Sequence, residues 1–569
     1  MSSRTFTFAL LILTLLVIFS GIASSSCSSR RLTADLVIRA DVIYTAYPAR
    51  PKAEAVAVRA GRIIDVGRRS KINRLIGKRT RVLDYDGAVL PGLIDAHGHL
   101  ASLGRALSRI DLVGTRDKDE ILAKVKEAIP GSAVEDWITG RGWDQNDWPD
   151  QQFPTWKDLR ETESRAVALW RVDGHAVWVN RTALRLAGIT SATPNPAGGR
   201  ILHDDSGEPT GVLIDKAMDL VSQQMPKEDV ALRRKYVIAG MKECNRFGLV
   251  GVGDAAVDSL GLAVYRGLAE KGELTLRVYA MLDGSDQVFA EQEMLHGPQG
   301  SSSDMLRVRS LKMFADGALG SRGAALLEPY SDDPGNYGLI TTSRAKLARM
   351  TSIAMDRGFQ VCVHAIGDSA NRMVLDVFSA ALLGRNPEDF RLRVEHAQIL
   401  DSLDIPRFGE QGVIASMQPT HATSDMPWVE ERLGPERTRV GAYVWRSLLD
   451  SGARLCFGSD FPVESPNPML GLYAAVTRQD TSGNPPGGWM PEQRLSMEEA
   501  LDGFTIDAAY AEFAERVIGS IEKGKLADFT VIDTDIFQAD PKALIDAKVL
   551  ATIVDGVVVY DSKTAGGGE

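Results

Sequence analysis

Cysteine is scarce in this chain: four occur among 569 residues, at 27, 244, 362 and 456. They lack CxxC spacing and the density of a disulfide scaffold. They read as buried thiols; Cys362, two before His364 and on the same strand face, reads as packing beside that histidine rather than as a ligand. Basic clusters are also missing. Lys and Arg total 65 against 75 Asp and Glu, for a net charge of -10 with no polybasic block, which excludes the electrostatic footprint of a nucleic-acid binder. Histidine is sparse enough, at eight, for each one to be weighed: 97, 99, 175, 203, 296, 364, 396 and 421.

Long apolar runs are lacking with one exception. Residues 6–23 are almost unbroken in their hydrophobicity, follow Arg4, and lead into GIASSSCSS and then Arg30 and Arg31. Residues 1–31 therefore read as a signal peptide or signal anchor. That predicts the secretory pathway: endoplasmic reticulum lumen, secreted, or anchored in the membrane through 6–23. The sequon Asn180-Arg181-Thr182 fits a lumenal location.

After the targeting segment the chain changes texture twice. From 32 to 90 short apolar runs are split by turns, with a hairpin expected at Ala60-Gly61; a similar pattern returns from 515 to 562. Neither half can bury an apolar face alone, so the two are expected to form one small β-sandwich. Between them, 91–514 alternates apolar strand-like segments with helical stretches such as 231–247 and 344–357, which predicts an α/β fold with a parallel sheet. Eight strand segments, centred near residues 94, 250, 278, 312, 363, 394, 416 and 457, make it a (β/α)8 TIM barrel. WITGRGW and AVALWRV lie in the long interval of about 105–227, which is assigned to an insertion over the barrel mouth.

The histidines fall into place on that frame. His97 and His99 follow the first strand, two apart and so on one face. Lys312 lies within the fourth strand, His364 ends the fifth, His396 the sixth and Asp460 the eighth. Strand ends in a barrel share one face, where active sites sit. Imidazoles with a carboxylate are the ligand set of a catalytic divalent ion, zinc above all, with a position left open for water.

The motifs DAHGH (95–99), LKMFADGALGSR (311–322), VHAIGD (363–368), EHAQ (395–398), SMQPTH (416–421), GSDFPVE (458–464) and GKLADFTVID (524–533) resemble the amidohydrolase superfamily, in its amidohydrolase-3 branch. WDQ (143–145) and DGHAVWVN (173–180) match inside the insertion. The chain is similar to N-substituted formamide deformylases and to plant proteins of the long-after-far-red type. The resemblance implies hydrolysis of a non-peptide C–N bond, as in an amide or formamide. It implies one or two divalent ions, one held by His97, His99 and Asp460, another by His364 and His396, with a carboxylated Lys312 between them. Asp460 is then both ligand and proton shuttle. An ammonium at Lys312, between Leu311, Met313 and Phe314, is costly to desolvate, whereas a carbamate is an anion suited to bridging. The alternative leaves its charge satisfied by Asp316 or by solvent, with a single ion.

Other residues are assigned to the substrate. His421, after the seventh strand, is expected to orient it or stabilise an oxyanion. Trp143, Asp144 and His175 are placed in a pocket wall, and Arg322 is given a substrate carboxylate to hold, or else a salt bridge with Asp316. Asp316 and Asp368 join this set, Asp368 as a partner that orients a ligand. His203 and His296 read as loop surface. The expected partner is a small amide-type molecule, and no motif specifies an oligomeric state. Two rival readings share the scaffold: a non-catalytic or moonlighting signalling protein, and a deaminase or ester hydrolase using the same site.

Overall fold

The computed structural model describes residues 33–130, 137–171, 175–196, 199–301 and 304–565. Residues 1–31, with the expected signal segment, lie outside the described residues. At the centre, eight strands pair in parallel and in chain order: β1 (Leu93–Gly98), β2 (Leu249–Val257), β3 (Arg277–Asp283), β4 (Leu306–Phe314), β5 (Gln360–Ala365), β6 (Arg393–His396), β7 (Ile414–Met417) and β8 (Leu455–Phe457). These are the eight segments expected from the sequence. β2 and β3 are buried along nearly their whole length, as strands enclosed by helices outside and side chains within must be. The helices Val230–Arg246 and Arg344–Asp356 begin where Asp229 and Ser343 accept hydrogen bonds from the backbone amides of Leu232 and Lys346.

Backbone hydrogen bonds just past the strand ends close the seam between β8 and β1. Asp460 N donates to His97 O at 2.8 Å, and His99 N to Phe461 O at 2.8 Å. Only glycine permits that approach at 458, where a Cβ would stand 2.5 Å from Asp95 Oδ1 and 2.6 Å from His97 N. The seam therefore delivers His97, His99 and Asp460 to one place. Inside the barrel, Cys362 packs with Ala255, Tyr279 and Met281.

The chain's two ends meet in one eight-stranded sheet. Ala88–Pro91 pairs antiparallel with Phe529–Ile532, placing Val89 beside Val531. The sheet folds over on itself: beyond the hairpin at Ala60-Gly61, whose φ values are +48° and +72°, Arg62 bridges to Leu526. Leu36, Ile38, Val56, Phe529, Val531 and Ile553 fill the space between its layers.

The long interval carries its own six-stranded sheet, from Ile110–Asp111 to Pro209–Asp215, and two cores of its own. The sequon within it is not a glycan acceptor in this fold. Asn180 is fully buried; its Oδ1 accepts from Ala183 N, capping the helix Arg181–Leu186, and its Nδ2 donates to Thr162 O and Arg165 O.

Candidate metal centre

Strand parity turns Lys312, His364 and Glu395 inward from neighbouring strands, with His364 paired to Glu395 across β5 and β6. His396 follows Glu395 directly and would point outward on a regular strand. Its φ of +75° turns the chain so that it also reaches the barrel mouth, and Asp460 sits at φ +57°. Left-handed backbone at two such residues stores about 1–3 kcal/mol each, held by the surrounding structure.

Three of the imidazoles are oriented through one nitrogen. His97 Nδ1 donates to Glu395 Oε2 at 2.5 Å, His99 Nδ1 to Ala255 O at 3.1 Å, and His396 Nδ1 to Gln418 Oε1 at 2.8 Å. That assignment leaves each Nε2 with its lone pair for a ligand role. Asp460 Oδ1 lies 3.0 Å from His99 Nε2 and 3.6 Å from His97 Nε2. Neither contact has hydrogen-bond geometry, so this buried oxygen is left without a donor, as is His364 Nε2. Ligand atoms of His97, His396 and Asp460 all fall within 4.8 Å of one another. The His364 and His396 rings are 4.6 Å apart between centroids. Buried polar atoms are costly when unpartnered, and these converge with lone pairs toward one point; the donor set fits a divalent cation.

Electrostatics favour the same state at His97, His364 and His396. Burial, aided by the nearby Lys312, holds His97 down at about 4, and burial takes His364 to about 3 and His396 well below its ordinary value. These imidazoles are neutral at pH 7, as ligation requires. At His99 burial also works against the charge, but the Asp460 carboxylate outweighs it and raises the pKa. Asp460 itself would be raised by burial, yet His99 and the other imidazoles hold it well below the carboxylate range.

Lys312 is buried, at 1 % exposure, with its amine lowered by burial. Nζ lies 3.4 Å from His97 Nε2 and 5.0 Å from the Phe314 ring. Asp316, the carboxylate that the sequence offered as its partner, is engaged elsewhere. It accepts from the backbone amides of Ala325, Ile366 and Gly367 at 2.8–3.0 Å and lies 3.6 Å from His364 Nε2. Burial raises it to about 7.

A cavity of about 320 Å³ opens above the cluster, lined by His97, His99, Lys312, His364, His396 and Asp460 below and by His421 on the helix Pro419–Asp425. The His421 ring stacks on His396 at 6.1 Å and 13°, and its Nε2 is buried without a partner. Phe314, Leu319, Ile366, Trp428 and Val463 supply apolar wall.

Six residues expected at the substrate stand elsewhere. Trp143 is fully buried in the insertion core, its indole N–H donating to Leu169 O and its ring packed on Trp148 and Trp178. An apolar interior, rather than a pocket wall, is what its strand position provides. Asp144 pairs with Arg171, and His175, largely exposed, with Asp215. Arg322 reaches Asp332, not Asp316. Asp316 fixes loop backbone as described, and Asp368 accepts from Leu327 N and Ser369 N at the start of Asp368–Leu382. No described residue of the insertion lines the cavity, so the expected placement over the mouth contributes no wall to it.

The sequence reading passes over the buried support. Arg393 donates to both oxygens of Glu395 at 2.8 and 3.0 Å, to Ser416 Oγ and to Ala96 O. Burial alone would raise the Glu395 carboxyl; Arg393 and His97 outweigh it and hold the group well below its ordinary range. Asp95 accepts from Ser459 N and Oγ and from His97 N, tying β1 to the turn that carries Asp460. Two opposite charges two apart in the apolar stretch LRVEHAQ were the available signal.

Comparison with known proteins accords with this geometry. A family model described as "Amidohydrolase family" matches residues 84–560. Protein LONG AFTER FAR-RED 3 of Arabidopsis thaliana is 36% identical over 548 residues, covering 93% of this chain and 92% of that protein. N-substituted formamide deformylase of Arthrobacter pascens is 29% identical, covering 90% and 95%. The crystal structure of an uncharacterized metal-dependent hydrolase from Pyrococcus furiosus superposes with a TM-score of 0.73 at 28% identity, covering 88% of this chain and all of that one. The chain belongs to the amidohydrolase family.

Proposed function

We propose that this protein is a metal-dependent hydrolase that cleaves a non-peptide C–N bond of the amide or formamide type. The observation that carries the proposal is the buried, donorless Asp460 Oδ1 beside His97 and His99 on the cavity floor. His97, His99 and Asp460 would hold one divalent ion, zinc by the chemistry of the set, and His364 with His396 would hold a second. Such an ion supplies Lewis acidity and brings the pKa of water from 15.7 to about 7. Asp460, kept ionised by the imidazoles around it, accepts a proton from the attacking water and delivers it to the departing nitrogen. His421, which lines the cavity and whose buried Nε2 has no partner, orients the carbonyl group.

Lys312 is proposed to be carboxylated. Burial favours the neutral amine, whose lone pair can attack the carbon of CO2 and lose a proton to give the carbamate anion. The Glu395 and Asp460 charges act in favour of the ammonium, but burial outweighs them.

The apolar run 6–23 supports entry into the secretory pathway. Among the described residues no helix is long and apolar enough to cross a membrane.

The reaction is tested with a panel of formamides, N-acyl amines and cyclic amidines, assayed for amine release by wild type and Asp460→Asn. Release by the wild type, lost in the variant, is expected. Equal activity of the two on every hydrolysed compound would remove Asp460 from the mechanism.

A further inference from the structure

The cavity wall above the metal centre has no cation of its own. Among the residues lining it, Lys312 is the sole lysine or arginine, and it belongs to the floor. Two carboxylates besides Asp460 line the cavity instead. Asp425 ends the helix that carries His421, and Glu464 follows Asp460 by four residues.

Both carboxylates are fixed through one oxygen. Asp425 Oδ2 accepts from Gln398 Nε2 at 2.6 Å and from the Tyr443 hydroxyl; Glu464 Oε1 accepts from Ser424 Oγ at 2.6 Å. No donor among the described residues reaches the second oxygen of either. Ser424, which holds Glu464, directly precedes Asp425, so the two carboxylates are neighbours; burial raises the Asp425 carboxyl, and the Glu464 charge acts in the same direction. Trp428 lies in the same cavity. Arg432, 5.5 Å from its ring, is tied to Asp332.

An acidic pair alone would mark nothing, but this one lies in the cavity onto which Asp460, nine-tenths buried with Oδ1 unpartnered, also opens. A ligand filling this cavity shares it with Asp460, Asp425 and Glu464. A carboxylate there meets two like charges and a neutral group leaves their mutual repulsion in place. A cation relieves the repulsion and gains an aromatic face.

We propose that the site selects amides whose portion remote from the scissile bond carries a positive charge, an alkylammonium or quaternary ammonium group, held by Asp425 and Glu464 against Trp428. The inference deepens the amide-hydrolase reading, on which it rests only for the chemistry at the other end of the substrate.

Two measurements on the metal-loaded, full-length protein test it. The first compares kcat/KM for N-formyl-1,5-diaminopentane, N-formylhexylamine and 6-formamidohexanoate. The expected order is ammonium over neutral by roughly tenfold or more, with the carboxylate poorest. Asp425→Asn with Glu464→Gln should collapse the ammonium-to-neutral ratio toward one, and Glu464→Gln alone should lower it if the double variant does not fold. The second measurement needs no hydrolysis: calorimetric binding of choline against its neutral isostere 3,3-dimethylbutan-1-ol, in wild type and Glu464→Gln. Preference for choline that shrinks in the variant supports the inference even if no amide is turned over, in which case the reaction assignment alone fails. Equal binding of the two isosteres, or a ratio the variants leave unchanged, would overturn it.

Discussion

His97 presents Nδ1 to Glu395 at 2.5 Å and Nε2 to Lys312 and Asp460 at 3.4 and 3.6 Å. One imidazole thus joins the ion pair sealed inside the barrel to the open end of the site. Glu395 in turn is held by Arg393, itself fully buried, so the orientation of a candidate ligand depends on a charge pair two layers below it.

Glu395→Gln tests that dependence. The substitution preserves shape but leaves Arg393 as an uncompensated buried cation, at a cost of about 3–5 kcal/mol in stability. It also loosens His97, which should lower metal affinity by roughly 10–100-fold. Denaturant unfolding and chelator competition measure the two effects; metal affinity equal to wild type would show that His97 needs no support from Glu395.

Asp460→Asn should retain the fold and lose about 10²–10⁴ in kcat, the range for a positioned proton-transfer group. Its backbone N–H to His97 O is kept, so the barrel seam is unaffected. Steady-state kinetics alongside thermal unfolding separates lost catalysis from lost structure.

Lys312→Ala should be inactive, and short carboxylic acids such as acetate or propionate should restore part of the activity by supplying two oxygens where the carbamate stood. Ethylamine should not. Rescue by the amine and not by the acids would favour an uncarboxylated lysine.

Trp143→Ala should act on stability, not on substrate. Removing an indole that is fully buried among Trp148 and Trp178 costs about 3–5 kcal/mol, with KM of the folded fraction unchanged. A large rise in KM without destabilisation would return Trp143 to the pocket.

Glu512 gives the fold a pH dependence away from the metal centre. It is fully enclosed, and burial raises its carboxyl from 4.5 to about 8. Below 4.5 it is neutral whether folded or unfolded. Between there and about 8 only the unfolded chain ionises, so its contribution to stability is lost as pH rises and levels off above that window. Glu512→Gln should remove this slope, gaining of order 3 kcal/mol over wild type between pH 5 and pH 9 in denaturant unfolding.

The barrel strands and most of the centre were legible because both rest on short-range pattern. Apolar runs mark strands, and the histidines and Asp460 follow them at fixed spacing. Glu395 and Arg393 were harder to read, since a charged pair in an interior strand contradicts the periodicity used to find the strand. The insertion misled for a different reason. Trp143 and His175 sit in motifs that resemble the family's, but whether a tryptophan lines a pocket or fills a core depends on which sheet face is covered. That is settled by the packing of Trp148 and Trp178 around it. Arg322 likewise finds Asp332 through a loop whose path no local spacing encodes.

The central claim is that these side chains form a metal centre that drives hydrolysis. It is tested most directly by measuring divalent metal per chain in protein purified without chelators, together with amine release before and after chelation. The account predicts about one to two equivalents of bound ion, and activity that disappears with the metal and returns on reloading. Fewer than about 0.5 equivalents in folded protein, or amine release indifferent to chelation, would contradict it.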